Sequence, residues 1–456
     1  MSSSSTRQVN RFCHQYLQLE PDLDFPEPAL LKTCQVQDAL YERLFADGAV
    51  QYGPPARYQL RVLKELMSRV EASIDDWEEY AVSDDLMSTL SVFLATPLLP
   101  EVTSVQQKCY VTYHLSALGQ ESSAQTTTQV PHITLLENRS LISASGTTGL
   151  RTWEAALHLG SYLCQNSGLV EGKRILELGA GTGFLSILCA NILGSGHVIA
   201  SDGSDDVINN LPENLFLNNL QDSTSVVPME VKWGHALLGT EEDKWNGGRT
   251  VDVVLGADIT YDHSVIPALI GTLLELFELY PRVEVFISET QRNEKTFQVF
   301  LDKCQANGLA VEDLEFEVPT RDTQEGPFYN DKVAIRICKV SKVRAGARCR
   351  GGLANGDLGI VPHTFQSSTQ ALATQEPKGL GRHTSRLLYR MRRTLSSGNP
   401  DGSMLRSSNE AIVGEQHNRF GYPGPWRKGH ATKPAIRPRR PSWPRSSRLP
   451  QHAASR

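Results

Sequence analysis

The sequence lacks the features that would take it out of the ordinary globular class. Its longest strongly apolar run, Phe184 to Leu193, is about half of the roughly 20 residues a bilayer crossing needs. The opening stretch MSSSSTRQVNRFCHQY has no apolar core of the secretory type, so no signal peptide is expected. Cysteine is sparse: eight residues (Cys13, Cys34, Cys109, Cys164, Cys189, Cys304, Cys338 and Cys349), none in a CxxC pair. That spacing excludes a zinc ribbon and argues against a disulfide framework. The expected compartment is therefore reducing, the cytoplasm, with the cysteines as small core residues and no metal site. What remains is unexceptional, 40% hydrophobic and 21% charged over 456 residues, enough for about two or three domains.

Charge is distributed unevenly. Residues 341–456 carry 21 Lys and Arg against 5 Asp and Glu, whereas residues 1–340 carry 24 against 46. The basic part is rich in Arg, Pro, Ser and Gly, as in Arg437-Pro438-Arg439-Arg440-Pro441, and shows neither helical nor strand periodicity. Such a composition reads as a disordered tail. The acidic body argues against nucleic acid as its main partner, leaving only weak contact through the basic tail.

Three regions follow. Residues 1–105 read as a helical region: in Tyr58 to Val70 the residues Val62, Leu63, Leu66, Met67 and Val70 fall on one face, behind a start signal at Pro54-Pro55. Amphipathic stretches also run from Ala29 to Phe45 and from Asp84 to Leu94. Residues 106–340 read as the catalytic domain, with a β lead-in over 106–150 in which Lys108–Ser116 and His132–Ile142 form β segments. Beyond Lys173 apolar strands (Arg174–Leu178, His197–Ser201, Val251–Ala257, Val283–Ser288, Val333–Ile337) alternate with helices (Phe184–Leu193, Ser264–Tyr280, Lys295–Asn307). That alternation predicts an α/β fold with a mostly parallel sheet covered by helices. Residues 341–456 are the tail.

The chemistry centres on Arg174-Ile-Leu-Glu-Leu-Gly-Ala-Gly-Thr-Gly-Phe-Leu-Ser186, a strand running through Gly179, Ala180, Gly181 and Gly183 into a helix. Glycines allow a tight turn and close approach of a ligand to the backbone, and a helix start offers free N–H groups. A dinucleotide turn places its third glycine where this chain has Phe184, so no pyrophosphate is implied. Glu177 instead stands two residues before a G-x-G-x-G run. A tight packing turn is the alternative. Asp202, 25 residues after Glu177, ends a second strand, where an acid can accept both ribose hydroxyls or else cap the helix from Asp205. A third strand end reads Ala257-Asp258-Ile259-Thr260-Tyr261, on the edge that borders the ligand crevice of an open α/β sheet, unless Asp258 too is a cap. Trp153 and Trp233 offer indoles able to wall an adenine or a sulfonium, or to pack the core. His158 and His263 stand alone and read as structural.

The glycine turn with Glu177 resembles motif I of the seven-strand S-adenosylmethionine-dependent methyltransferases. Asp258 and Tyr261, as D-x-x-Y, resemble the signature of their family-16 protein-lysine branch. Gly-Thr-Thr-Gly-Leu-Arg-Thr-Trp-Glu-Ala-Ala (146–156) and Pro-Pro-Ala-Arg-Tyr-Gln-Leu-Arg-Val-Leu-Lys-Glu-Leu (54–66) resemble the eukaryotic elongation factor 2 lysine N-methyltransferases. The resemblance covers about residues 10–340. It implies a Rossmann-like seven-strand sheet with an N-terminal helical region, S-adenosylmethionine held by Trp153, Glu177, Gly179, Ala180, Gly181, Gly183, Asp202, Trp233 and Ala257, and Asp258 and Tyr261 as the catalytic pair. Asp258 would orient the acceptor amine and Tyr261 would shape its channel. The implied partner is a protein substrate, elongation factor 2, met by a monomer. A small-molecule methyltransferase and a cofactor-binding inactive adaptor are the competing readings. The N-terminal region and D-x-x-Y count against the first, and the intact acids and glycines against the second.

Overall fold

The computed structural model describes residues 1–98, 100, 107–119, 130–139, 148–237 and 245–343. Of the expectations above, the tail beyond Val343, Cys349, the end of the His132–Ile142 segment and residues 146–147 of the Trp153 stretch lie outside the described residues.

Five helices open the chain: α1 (Ser3–Leu17), α2 (Pro28–Leu31), α3 (Cys34–Leu44), α4 (Ala56–Ser73) and α5 (Asp84–Ala95). The anticipated stripe on α4 is buried throughout, Val62, Leu63, Leu66, Met67 and Val70 packing against Val9, Phe12, Tyr16 and Leu40. Each such aliphatic contributes roughly 1.5–3 kcal/mol of burial before entropy is subtracted. The stretch from Ala29 to Phe45 is two helices, α2 and α3, because Thr33 breaks it in extended conformation. A hairpin follows: β1 (Cys109–His114) pairs antiparallel with β2 (His132–Glu137), from Cys109 opposite Glu137 to His114 opposite His132.

The remaining elements are α6 (Glu154–Gln165), β3 (Arg174–Leu178), α7 (Phe184–Ile187), β4 (His197–Asp202), α8 (Asp205–Leu217), β5 (Val226–Glu230), β6 (Val253–Ala257), α9 (Ile266–Leu279), β7 (Glu284–Thr290), α10 (Glu294–Ala306), β8 (Leu309–Leu314) and β9 (Ile335–Lys342). The strands form one seven-stranded sheet in the order β5-β4-β3-β6-β7-β9-β8. Neighbours from β5 to β7 are parallel, and β9 runs antiparallel to both β7 and β8. The chain leaves β3 outward in both directions, toward β4 and toward β6. The crevice of such a sheet opens at the carboxyl ends flanking that point.

Side chains alternate across the sheet as the strand period demands. Ile175, Val253, Leu255 and Phe286 enter one core with α6, α7 and the hairpin, whereas Leu176, Leu178, Val254, Val285 and Ile287 enter a second beneath α9 and α10. β8 was not anticipated; it is a half-exposed edge strand whose Glu312 and Asp313 dilute the apolar pattern. Pro228 is accommodated in β5 because that strand is the opposite edge. The helix expected from Phe184 to Leu193 is one short turn that widens into a π turn over Leu188–Ile192.

The N-terminal helices are tied to the segment between β8 and β9. The amide of Gln18 donates to Phe328 O at 2.5 Å while its oxygen accepts from Phe328 N at 2.8 Å. Arg11 donates to Arg321 O at 2.8 Å, and Arg321 pairs with Glu20 at 2.6 Å. Helices and sheet belong to one compact unit. No helix among the described residues is long and apolar enough to cross a membrane.

Candidate active site

The site forms where β3, β4 and β6 end. After Leu178 the chain turns through Gly179, Gly181 and Gly183 at φ of 70°, 54° and 85°, backbone that a side chain disfavours. Space is equally restrictive. A Cβ on Gly179 would lie 2.7 Å from Ile259 Cγ2, and one on Gly181 would lie 3.1 Å from Gly149 O. Ala180 N donates to Ser201 O at 2.8 Å, which fixes the turn on β4.

Glu177 is buried, and its carboxylate accepts from Ser186 N at 2.9 Å and from the Ser186 hydroxyl. Burial pushes its carboxyl up to about 8, against the lowering effect of the Ser186 bonds. Asp202 ends β4; Oδ2 accepts from Gly181 N at 3.2 Å and Oδ1 from Ser204 N at 3.0 Å. It is not the cap of α8, since Ser204 holds that position. Burial raises the Asp202 carboxyl above its ordinary range.

Trp233 follows β5 in a turn held by Gly234 N donating to Thr272 Oγ1 at 3.0 Å, and its indole lies against the Gly179 turn. Trp153 precedes α6, with Nε1 donating to Thr148 O at 3.0 Å. The guanidinium groups of Arg151 and Arg292 lie over its ring at 5.0 and 4.9 Å from the centroid.

Ala257 closes β6. Asp258 follows at φ 51° and is 8% exposed. Its carboxylate accepts from Thr290 N at 2.9 Å, Thr290 Oγ1 at 3.0 Å and Ala155 N at 3.4 Å, joining the ends of β6 and β7 to the start of α6. Burial raises its carboxyl; Arg292 works against that rise. Tyr261 stands 57% exposed at the rim.

All eleven residues singled out in the sequence converge here. Ten of them, Trp153, Glu177, Gly179, Ala180, Gly181, Asp202, Trp233, Ala257, Asp258 and Tyr261, line one cavity of about 390 Å³, and Gly183 completes the turn beneath it. That volume is in the range of small-molecule sites. Its wall also includes Thr148, Gly149, Arg151, Thr152 and Thr182. The cavity therefore combines bare backbone at crowded, positive-φ glycines, three acids (Glu177, Asp202 and Asp258) and two indoles. Those groups suit an adenosyl sulfonium, which needs acceptors for hydroxyls, a carboxylate for positive charge and flat apolar walls.

Sequence reasoning missed a layer behind this wall. Glu137, fully buried at the end of β2, accepts from Tyr113 Oη at 2.8 Å and Thr152 Oγ1 at 2.6 Å, and Thr152 in turn meets Thr182 Oγ1 at 2.7 Å. A charged residue closing the apolar alternation of Ile133–Glu137 is the one sign of it in the sequence. Thr290 and Arg292 were missed as well, since the end of β7 and the turn after it carry no motif. His158 is structural, meeting Tyr329 Oη and Phe316 O at 3.1 Å each. Cys164, Cys189 and Cys304 are buried thiols.

Similarity to known proteins agrees with this geometry. Residues 139–305 match the family model described as lysine methyltransferase. The protein-lysine N-methyltransferase EFM3 of Chaetomium thermophilum is 58% identical over 342 residues, 75% of this chain and 100% of that protein. EFM3 of Saccharomyces cerevisiae is 33% identical over 236 residues, 46% of this chain and 66% of that protein. The protein-lysine N-methyltransferase EEF2KMT of Homo sapiens is 27% identical over 322 residues, 67% of this chain and 86% of that protein. On the similarity to the Chaetomium protein, which runs the full length of that relative, the chain belongs to the lysine methyltransferase family and is a protein-lysine N-methyltransferase whose methyl donor is S-adenosylmethionine.

Proposed function

We propose that this enzyme methylates one lysine of elongation factor 2, as a cytoplasmic monomer. The observation that carries the reading is the lining of a single cavity by both the Gly179–Gly183 turn and the Asp258–Tyr261 edge, which brings a donor site and an acceptor site together. The choice of protein rests on the resemblance of segments 54–66 and 146–156 to the elongation factor 2 lysine methyltransferases, and on the similarity to EEF2KMT.

When bound, S-adenosylmethionine supplies an activated methyl for direct displacement. The residues of this chain do the rest. Asp202 would accept from the ribose hydroxyls, Glu177 and the glycine turn would hold the other polar groups, and Trp233 and Trp153 would wall the adenine and the sulfonium. Asp258 orients the acceptor amine, and Tyr261 shapes the channel through which the side chain enters. A lysine of ordinary pKa, about 10.4, is almost fully protonated at neutral pH and must lose a proton before its lone pair can attack. A carboxylate alone favours the charged form, so Asp258 acts through orientation more than as a strong base. Aromatic walls also accept a methylated ammonium, which permits successive transfers.

The test is incubation with labelled S-adenosylmethionine and purified elongation factor 2, beside a copy carrying Lys→Arg at the position mapped by mass spectrometry. Labelling of the first and not the second is expected. Strong labelling of another protein, with none on elongation factor 2, would sink the substrate while leaving the enzyme class intact.

A further inference from the structure

Arg292 lies in the turn between β7 and α10, outside every motif read from the sequence. Its guanidinium has three partners on two other elements. It pairs with Glu154 in the first turn of α6, stands 3.5 Å from Asp258 Oδ1, and lies 4.9 Å from the centroid of the Trp153 ring. The side chain is 43% exposed, whereas that of Asp258 is 6% exposed, so Arg292 covers the carboxylate from the solvent side.

This placement bears on a difficulty in the proposed reaction. An aromatic wall and a carboxylate both hold a lysine in its ammonium form, which has no lone pair to attack with. Something must oppose them. We propose that Arg292 is the positioning residue that does so: its fixed positive charge compensates Asp258, so the acceptor lysine enters as the neutral amine after giving its proton to water.

Other charges facing this corner are Glu154 on α6, Glu289 on β7, Arg151 over the Trp153 ring, and Arg336 on β9, itself 3.5 Å from Asp313. Tyr261, Lys232, Glu177 and Asp202 are further titratable groups that line the same cavity. Burial pushes the Glu289 carboxyl up to about 8, so below that pH it adds little negative charge. Arg292 is the cation within salt-bridge range of Asp258 among the described residues. Without it the corner turns acidic and holds the ammonium.

The inference rests on the lysine reading, so the acceptor in its test is total protein from cells lacking the enzyme, which does not presuppose elongation factor 2. Initial methylation rates of the full chain, Arg292→Gln, Arg292→Lys and Glu154→Gln are measured from pH 6.5 to 10, with cofactor affinity by calorimetry. Removing a charge two contacts from the amine moves its pKa by about one unit. Arg292→Gln should therefore lose about tenfold at pH 7.5, recover to near the wild-type rate at the alkaline end, and bind cofactor normally. Arg292→Lys should keep the wild-type profile. Glu154→Gln leaves the guanidinium less compensated and should move the limb to lower pH; it decides the matter if Arg292→Gln does not fold. A rate for Arg292→Gln that is depressed equally at every pH, or an unmoved limb in both variants, overturns the inference while the lysine reading stands. Failure of the wild type to label any protein overturns both.

Discussion

Replacing Asp258 separates its structural work from its catalytic work. In Asp258→Ala, Thr290 N and Ala155 N lose a buried acceptor, and Thr290 Oγ1 must turn elsewhere. A buried donor left unsatisfied costs about 1–3 kcal/mol. The 3.4 Å bond to Ala155 is long and weighs less than the 2.9 Å bond to Thr290 N. Alanine at φ 51° adds roughly 1–2 kcal/mol, because the left-handed region crowds its Cβ. Relief from burying a carboxylate offsets part of the sum, which leaves a net loss of about 2–4 kcal/mol. Asparagine tolerates that backbone and keeps an oxygen for Thr290 N, so Asp258→Asn should lose only about 1 kcal/mol. Both variants, lacking the second carboxylate oxygen that would accept from the amine N–H and orient it, should lose about 100-fold in methyl transfer with cofactor affinity changed only a few-fold. Equilibrium urea unfolding, calorimetry and single-turnover kinetics on the three proteins give the comparison. Alanine and asparagine variants of equal stability would show that the carboxylate does not join the three elements. Full turnover in Asp258→Asn would remove it from the acceptor site.

Gly181→Val should abolish cofactor binding in calorimetry while the far-ultraviolet spectrum stays native, since its first carbon already meets Gly149 O at 3.1 Å; tight binding by the folded variant would move the site elsewhere. For Glu177, a folded carboxyl at about 8 means that from about pH 4.5 to 8 the folded chain keeps a proton the unfolded chain has released, so stability falls as pH rises through that window. Glu177→Gln should remove up to about 1.4 kcal/mol per pH unit of that slope, and unfolding curves of the two proteins that run parallel across the window would contradict it. Truncation after Val343 should leave the melting temperature and methyl transfer unchanged if the basic tail contributes no core; the cut belongs there and not after Val340, because Ser341 and Lys342 still pair with Ala310 and Leu309.

The sequence was most informative where local chemistry is restrictive. Three glycines directly after an apolar strand left few conformations, and they occupy the positive-φ turn expected of them. The stripe from Val62 to Val70 could bury only one face, and did. Edges were harder to read: β8 carries acids on a half-exposed strand and offers no clean alternation. At the site, Trp153, Asp202 and Asp258 announced themselves by lying at strand or helix ends in recognisable order. Arg292 and Glu137 did not, because their importance comes from what folding places beside them: Arg292 reaches Glu154 across 138 residues, and Thr152 reaches back 15 residues to Glu137. No window along the chain contains that information. The attachment of the N-terminal helices was equally hidden, and it means that removing residues 1–100 would strip Gln18 from Phe328 as well as any docking surface.

That attachment also sets a timetable for the nascent chain. Gln18 and Arg11 find their partners in Phe328 and Arg321, each 310 residues later. At roughly 5–20 residues per second, the ribosome delivers those partners about 15–60 s after the first helix has emerged. Nor can the sheet finish early. β9, the last strand among the described residues, sits between β7 and β8, so β7 keeps an unpaired edge until Ile335–Lys342 has been made. Long-range pairings of this kind are slow and leave strand edges open to misassociation. The first helix to be made is thus among the last to be fully packed, and the growing polypeptide needs protection over most of its length before it can close.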